Sequence, residues 1–122
     1  MPKPLSFVRS VPRNGATGVS TNLRTILLVF DKNVVNDAVW TNNRKQIKLL
    51  RGTTRVSIRV ARIPDTVDFS KRRNIYVHPV HTLRPSTRYR VVIGPNLTSK
   101  AGEKLGKTVT VTFKTRSVTP EE

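Results

Sequence analysis

Apolar residues recur at every second position along most of this chain. In "TRVSIRVA", Val56, Ile58 and Val60 fall on one side of an extended backbone and Arg55, Ser57 and Arg59 on the other. The same period sets Ile26, Leu28 and Phe30 against Leu27 and Val29, and pairs Ile47 with Leu49 and Ile75 with Val77. It sets Tyr89, Val91 and Ile93 against Arg88, Arg90 and Val92, and Val109, Val111 and Phe113 against Thr110, Thr112 and Lys114. An N-terminal "LSFVRSV" adds a seventh run. Val, Ile and Thr dominate these runs, because branched side chains pack well on a pleated surface.

Turn residues separate the runs. Asn14-Gly15 and Gly18 can take positive φ in "PRNGATG", and "RGTT" at 51–54 is short enough for a hairpin. The one helix-like segment is "VVNDAVW", where Asn36 or Asp37 can cap a single turn. Seven short strands in 122 residues predict a single all-β domain, a seven-stranded antiparallel sandwich over residues 1–118, with 119–122 as a tail or linker. Tyr89 points inward at the start of its strand, just after Pro85 and Thr87. This resembles the tyrosine corner of immunoglobulin-like sandwiches, in which the hydroxyl bonds a backbone group a few residues upstream.

The charge balance is strongly one-sided. Lys and Arg total 23 against 7 Asp and Glu, a formal +16, and two of the acids are the terminal pair Glu121-Glu122. Such an excess attracts polyanions, whether nucleic acid, anionic lipid or acidic cell-wall polymer. If the 51–54 hairpin joins its two strands in one sheet, parity puts Lys48, Arg55, Arg59, Arg88, Arg90 and Lys114 on one outer face. Those six residues are the candidate polyanion-binding site; the alternative is a merely solvated face. No aromatic residue falls on that face by the same parity, which disfavours base stacking and favours contact with an acidic polymer. On the other sheet Leu27 and Val29 face out near Tyr76. The segment carrying Trp40 is expected to fold over this apolar strip, in preference to a neighbouring module packing there.

Catalytic and metal chemistry find little support. Asp65 and Asp68 share one loop and could work as an acid–base pair, but they also neutralise the adjacent Lys71-Arg72-Arg73. His78 and His81 are two imidazoles with neither a Cys nor a nearby acid to complete a ligand set. No Gly-rich phosphate loop is present. The chain is therefore expected to be no enzyme, with no cofactor, no metal and no catalytic residue. With no Cys there is no disulfide, and no apolar run approaches the roughly 18 residues of a membrane span, so no membrane insertion is expected. "MPKPLSFVRS" also lacks the apolar core of a signal peptide.

Taken in order, several segments resemble the surface-layer-type bacterial Ig-like domain. They are Val11-Pro12, "NGATGVS" at 14–20, "ILLVF" at 26–30, Leu83-x-Pro85-x-Thr87-x-Tyr89, the Ala101-Gly102 turn with Leu105, and Thr112-Phe113-x-Thr115. The resemblance implies an immunoglobulin-like sandwich in which Tyr89, Pro85 and Gly102 serve structure. It implies a non-enzymatic structural or adhesive module of an extracellular or cell-envelope protein, with neighbouring modules and an anionic cell-wall polymer or polysaccharide as expected partners. Two other readings stand beside it: a nucleic-acid-binding protein using the same basic face, and an accessory domain of a polysaccharide-active enzyme.

Overall fold

The computed structural model describes residues 4–117. Residues 119–122, expected to be a tail or linker, lie outside the described residues, as do the first three residues and Val118. Among the described residues nine strands form two sheets, where periodicity predicts seven. They are β1 (Phe7–Val11), β2 (Ala16–Val19), β3 (Ile26–Phe30), β4 (Ile47–Arg51), β5 (Thr54–Val56), β6 (Ile58–Ala61), β7 (Asn74–Pro79), β8 (Arg88–Ile93) and β9 (Val109–Thr115). One sheet has the order β1-β3-β7-β6 and the other β2-β9-β8-β4-β5. All neighbours run antiparallel except β2 and β9, which are parallel.

The two extra strands have different origins. β2 lies inside the expected "PRNGATG" turn region, where Gly15 (φ 84°) and Gly18 (φ 66°) bend the chain onto the edge of β9. The second arises because "TRVSIRVA" is not one strand. It breaks at Ser57, so β5 pairs with β4 in one sheet and β6 pairs with β7 in the other. Switching sheets at a corner is a normal way to close a sandwich.

The alternation read from the sequence survives as burial. Ile26, Leu28, Phe30, Ile75 and Val77 face inward from one sheet, and Leu49, Tyr89, Val91, Ile93, Val111 and Phe113 from the other, each at most 1 % exposed. The rings of Tyr89 and Phe113 stack at 5.6 Å, and Phe7 meets Phe30 edge-on at 5.7 Å. Such pairs add roughly 0.5–1.5 kcal/mol beyond simple area burial.

The β3–β4 connection carries a helix, α1 (Asp37–Asn43), longer than the single turn expected. Asn36 caps it, its side-chain oxygen accepting the Ala38 N–H at 3.0 Å. Trp40 packs against the interior cluster, and the Arg62 guanidinium lies 5.4 Å from its ring centre. Leu27, Val29 and Tyr76 lie on the outer face of the four-stranded sheet, where Leu27 stands between Val11 and Tyr76, Tyr76 beside Ala61, and Val29 between Arg9 and Asn74. Among the described residues no helix is long and apolar enough to cross a membrane.

The described chain enters at one end of the sandwich and leaves at the other. Leu5 N–H bonds Lys104 before β9, whereas Arg116, after β9, bonds Val19. The seven residues of β9 separate those points by about 23 Å.

Candidate polyanion-binding surface

Strand β8 is central in its sheet, so its outward residues set the middle of the outer face. Arg88 and Arg90 are exposed between the buried Tyr89 and Val91. Arg88 lies directly opposite Lys114 on β9, and Arg90 opposite Thr112 on one side and Leu50 on the other. Leu50 in turn faces Arg55 on β5, and Lys48 lies beside Val92. Lys48, Arg55, Arg88, Arg90 and Lys114 therefore share one exposed face, interleaved with Thr110 and Thr112 and with no aromatic ring.

Arg59 does not join them. Its strand belongs to the other sheet, where it sits opposite His78 on β7. The sequence places Arg59 on the same face only if Arg55 and Arg59 lie on one continuous strand, and the break at Ser57 removes that premise. The physical reason is that inward residues of both sheets point to one core, so alternation continues unbroken across a sheet switch.

None of the nine strands carries an Asp or Glu. The acids of the described chain lie in connections or on α1, and most are engaged locally. Glu103 pairs with the Lys32 ammonium at 3.1 Å and accepts the Ser99 hydroxyl at 2.7 Å. The hydroxyl, then Lys32, hold its carboxyl below the usual range. Asp37 accepts from Arg62 at 2.7 Å. Asp31 accepts the Ser6 N–H at 2.8 Å. The two loop aspartates do not form a pair. Asp65 accepts from the side-chain amides of Asn33 (2.9 Å) and Asn36 (3.0 Å), and these, Asn36 foremost, lower its pKa. Asp68 caps the turn at Phe69–Lys71 by accepting the N–H and hydroxyl of Ser70.

The basic face therefore has no carboxylate partner on its own sheet. Arg90 is tethered by donating to the Gly52 carbonyl at 2.9 Å, so its guanidinium spans β4 toward the β4–β5 turn. Arg88 and Lys114, like charges directly across a strand pair, repel each other.

The residues singled out for structure occupy two turns. Tyr89 is buried, and its hydroxyl accepts the Arg84 N–H at 2.8 Å. Pro85 contributes its carbonyl to the Thr87 hydroxyl, 2.7 Å. Thr115 closes the corner by accepting the Thr87 N–H and donating to the Arg84 carbonyl. Gly102 has φ 93° in the turn after Lys100, a backbone conformation that a Cβ disfavours. His78 uses Nδ1 on the Arg24 carbonyl, 3.1 Å, and among the described residues no three His, Asp or Glu side chains cluster as a metal site.

Asn43 is a hub that periodicity does not reveal. It is fully buried, its amide donating to the carbonyls of Val34 and Thr98, both 2.8 Å, while its oxygen accepts the Thr98 N–H at 2.9 Å. It fastens α1 to the β8–β9 connection. Its spacing from Trp40, a core-packed residue three positions earlier on the same helix, is the signal for an inward position.

The sandwich is similar to domains of large surface-layer proteins. The N-terminal part of the bacterial S-layer protein SbsC superposes with a TM-score of 0.62 at 17 % identity, over 98 % of this chain and 25 % of that one. SbsC domains 1–6 give 0.61 at 17 % identity, over 98 % of this chain and 15 % of that one. The longer SbsC(31–844) chain gives 0.60 at 18 %, with the same coverage. This chain thus spans a quarter or less of the length of those chains. No curated protein matches its sequence. The bacterial Ig-like domain family matches residues 2–115, nearly the whole chain, and with the sandwich and its tyrosine-closed corner this makes the chain a member of that family.

Proposed function

We propose that this domain is a non-catalytic structural and adhesive module of a bacterial cell-surface or secreted protein, and that its basic sheet face contacts anionic polymers. The observation that carries this is the outer face of the five-stranded sheet, with Lys48, Arg55, Arg88, Arg90 and Lys114 exposed on strands that hold no carboxylate. The modular part is supported by a chain that enters and leaves at opposite ends, so that each copy in a longer protein adds its full length. It is supported too by the likeness to segments of multidomain surface-layer chains. A nucleic-acid reading shares the charge but lacks stacking rings on the face.

The test is binding to poly(glycerol phosphate) and to duplex DNA across a salt series. Five neutralised phosphates give a log–log slope on duplex DNA of roughly −4.5, and the Arg88→Gln/Arg90→Gln/Lys114→Gln variant should flatten it to roughly −1.8. No binding of the wild-type domain to either polymer at near-physiological salt would leave the face solvated and the module a spacer.

A further inference from the structure

We infer that the open edge of the sandwich, where β5 gives way to β6, is a binding groove for a single anionic chain of sugar or polyol units. This rests on the reading that the domain contacts anionic polymers, and it locates the strongest contact away from the sheet face. Three neighbouring clefts share wall residues here. A cleft of about 590 Å³ carries Arg44, Lys45, Arg55 and Arg59 on its walls. Arg59 also lines the next, of about 330 Å³, together with His78 and Arg24. Arg24 continues into a third, of about 120 Å³, between the β2–β3 and β7–β8 connections. The result is a track of cations crossing from the gap between the sheets onto the outer surface of β6 and β7.

The lining says what fits. Ion pairs among the described residues join Lys32 to Glu103 and Arg62 to Asp37, and the groove cations share in neither. Their mutual repulsion is left for a ligand to offset. Arginines predominate, and a guanidinium fork grips phosphate or carboxylate oxygens in pairs. Arg55 and Arg59 are four residues apart, at most about 13 Å along extended chain, a span that takes successive charged units of one polymer.

Both β5 and β6 are terminal strands of their sheets, so backbone groups along the groove have no neighbouring strand to bond. The His78 ring is oriented by Nδ1–H, which donates to the Arg24 carbonyl and lies 3.1 Å from the Thr25 hydroxyl, leaving Nε2 for a sugar hydroxyl. No Phe, Tyr or Trp lines any of the three clefts, so a base meets only the His78 and His81 imidazoles and the guanidinium planes, a poor platform for successive bases. Ile47, Ile58 and Val60 give the widest part an aliphatic floor suited to the carbon face of a sugar or polyol.

The experiment compares two variants that remove the same charge. Arg44→Gln/Lys45→Gln/Arg59→Gln empties the groove and Arg88→Gln/Arg90→Gln/Lys114→Gln empties the face, while Arg55, which borders both, stays in each. Circular dichroism and melting confirm that both are folded. Titrations use poly(glycerol phosphate) and polygalacturonate, to tell phosphate from carboxylate units, with a thymidine oligonucleotide as the nucleic-acid arm. The groove variant should lose about tenfold in affinity for polygalacturonate or poly(glycerol phosphate), from three exposed charge contacts, and the face variant about threefold or less.

An equal or smaller loss in the groove variant would overturn the inference and leave the face reading standing. So would unchanged affinity with new self-association, since the cations would then be guarding edge strands. Tighter binding of the oligonucleotide than of either other polymer would overturn the ligand class. Absence of wild-type binding to all three would overturn both the groove and the face.

Discussion

Replacing Asn43 tests whether the helix and the long β8–β9 connection are held by one buried amide. Asn43→Ala leaves the carbonyls of Val34 and Thr98 and the N–H of Thr98 without partners, in a site that is 0 % exposed. At about 1 kcal/mol or slightly more for each abandoned group, the loss is about 3–4 kcal/mol. For a domain of this size that lowers the melting temperature by roughly 12–15 °C. The single tryptophan, Trp40, lies on the same helix and reports the transition in a urea titration followed by fluorescence.

Asn43→Asp sharpens the argument. A carboxylate there faces two carbonyl oxygens, so burial and repulsion raise its folded-state pKa above the unfolded value. The neutral acid, which keeps one donor, is the form that fits. Stability of this variant should be greatest at low pH, below the unfolded value of about 3.9, and should fall as pH rises through the raised folded value. An alanine variant within about 1 kcal/mol of wild type, or an aspartate variant that gains stability with rising pH, would refute the account.

Two further outcomes concern stability. Tyr89→Phe keeps the buried ring against Phe113 but removes the acceptor of the Arg84 N–H, and should cost about 1 kcal/mol with faster hydrogen exchange at the Arg84 amide; unchanged exchange there would mean the hydroxyl does not hold the corner. Asp65 and Glu103 have pKa values lowered from about 3.8 and 4.5 by the partners already named, so their contribution is present above those values and lost as pH falls through the depressed ones. Urea midpoints should therefore drop from about pH 5 to about pH 3, and drop less in Asp65→Asn, whereas a drop unaltered by that substitution would put the acid sensitivity elsewhere.

Much of the architecture was legible because strand alternation reports one physical quantity, which side of the backbone faces the core. Ile26, Leu28, Phe30, Leu49, Tyr89, Val91 and Phe113 all lie inward as their parity implies. The corner was legible from Tyr89 and its upstream proline, since an inward tyrosine needs a partner for its hydroxyl. β2 was not, because four residues with two glycines flanking and within them carry too little pattern to mark a strand. Asn43 was hidden by its chemistry, as a polar residue looks like surface until its three backbone partners are assembled around it from distant segments.

The sequence alone carries the mostly-β character, the inward residues of each long strand, the turn positions and a large cationic excess that no strand offsets. Where the cations go depends on how the strands are shared between the two sheets. Val56, Ile58 and Val60 face a common core from two different sheets, and alternation along a chain cannot tell one sheet from two when both look inward. That single break at Ser57 moved Arg59 off the basic face, set it across the open edge from Arg55, and made a groove where the sequence implied a flat surface.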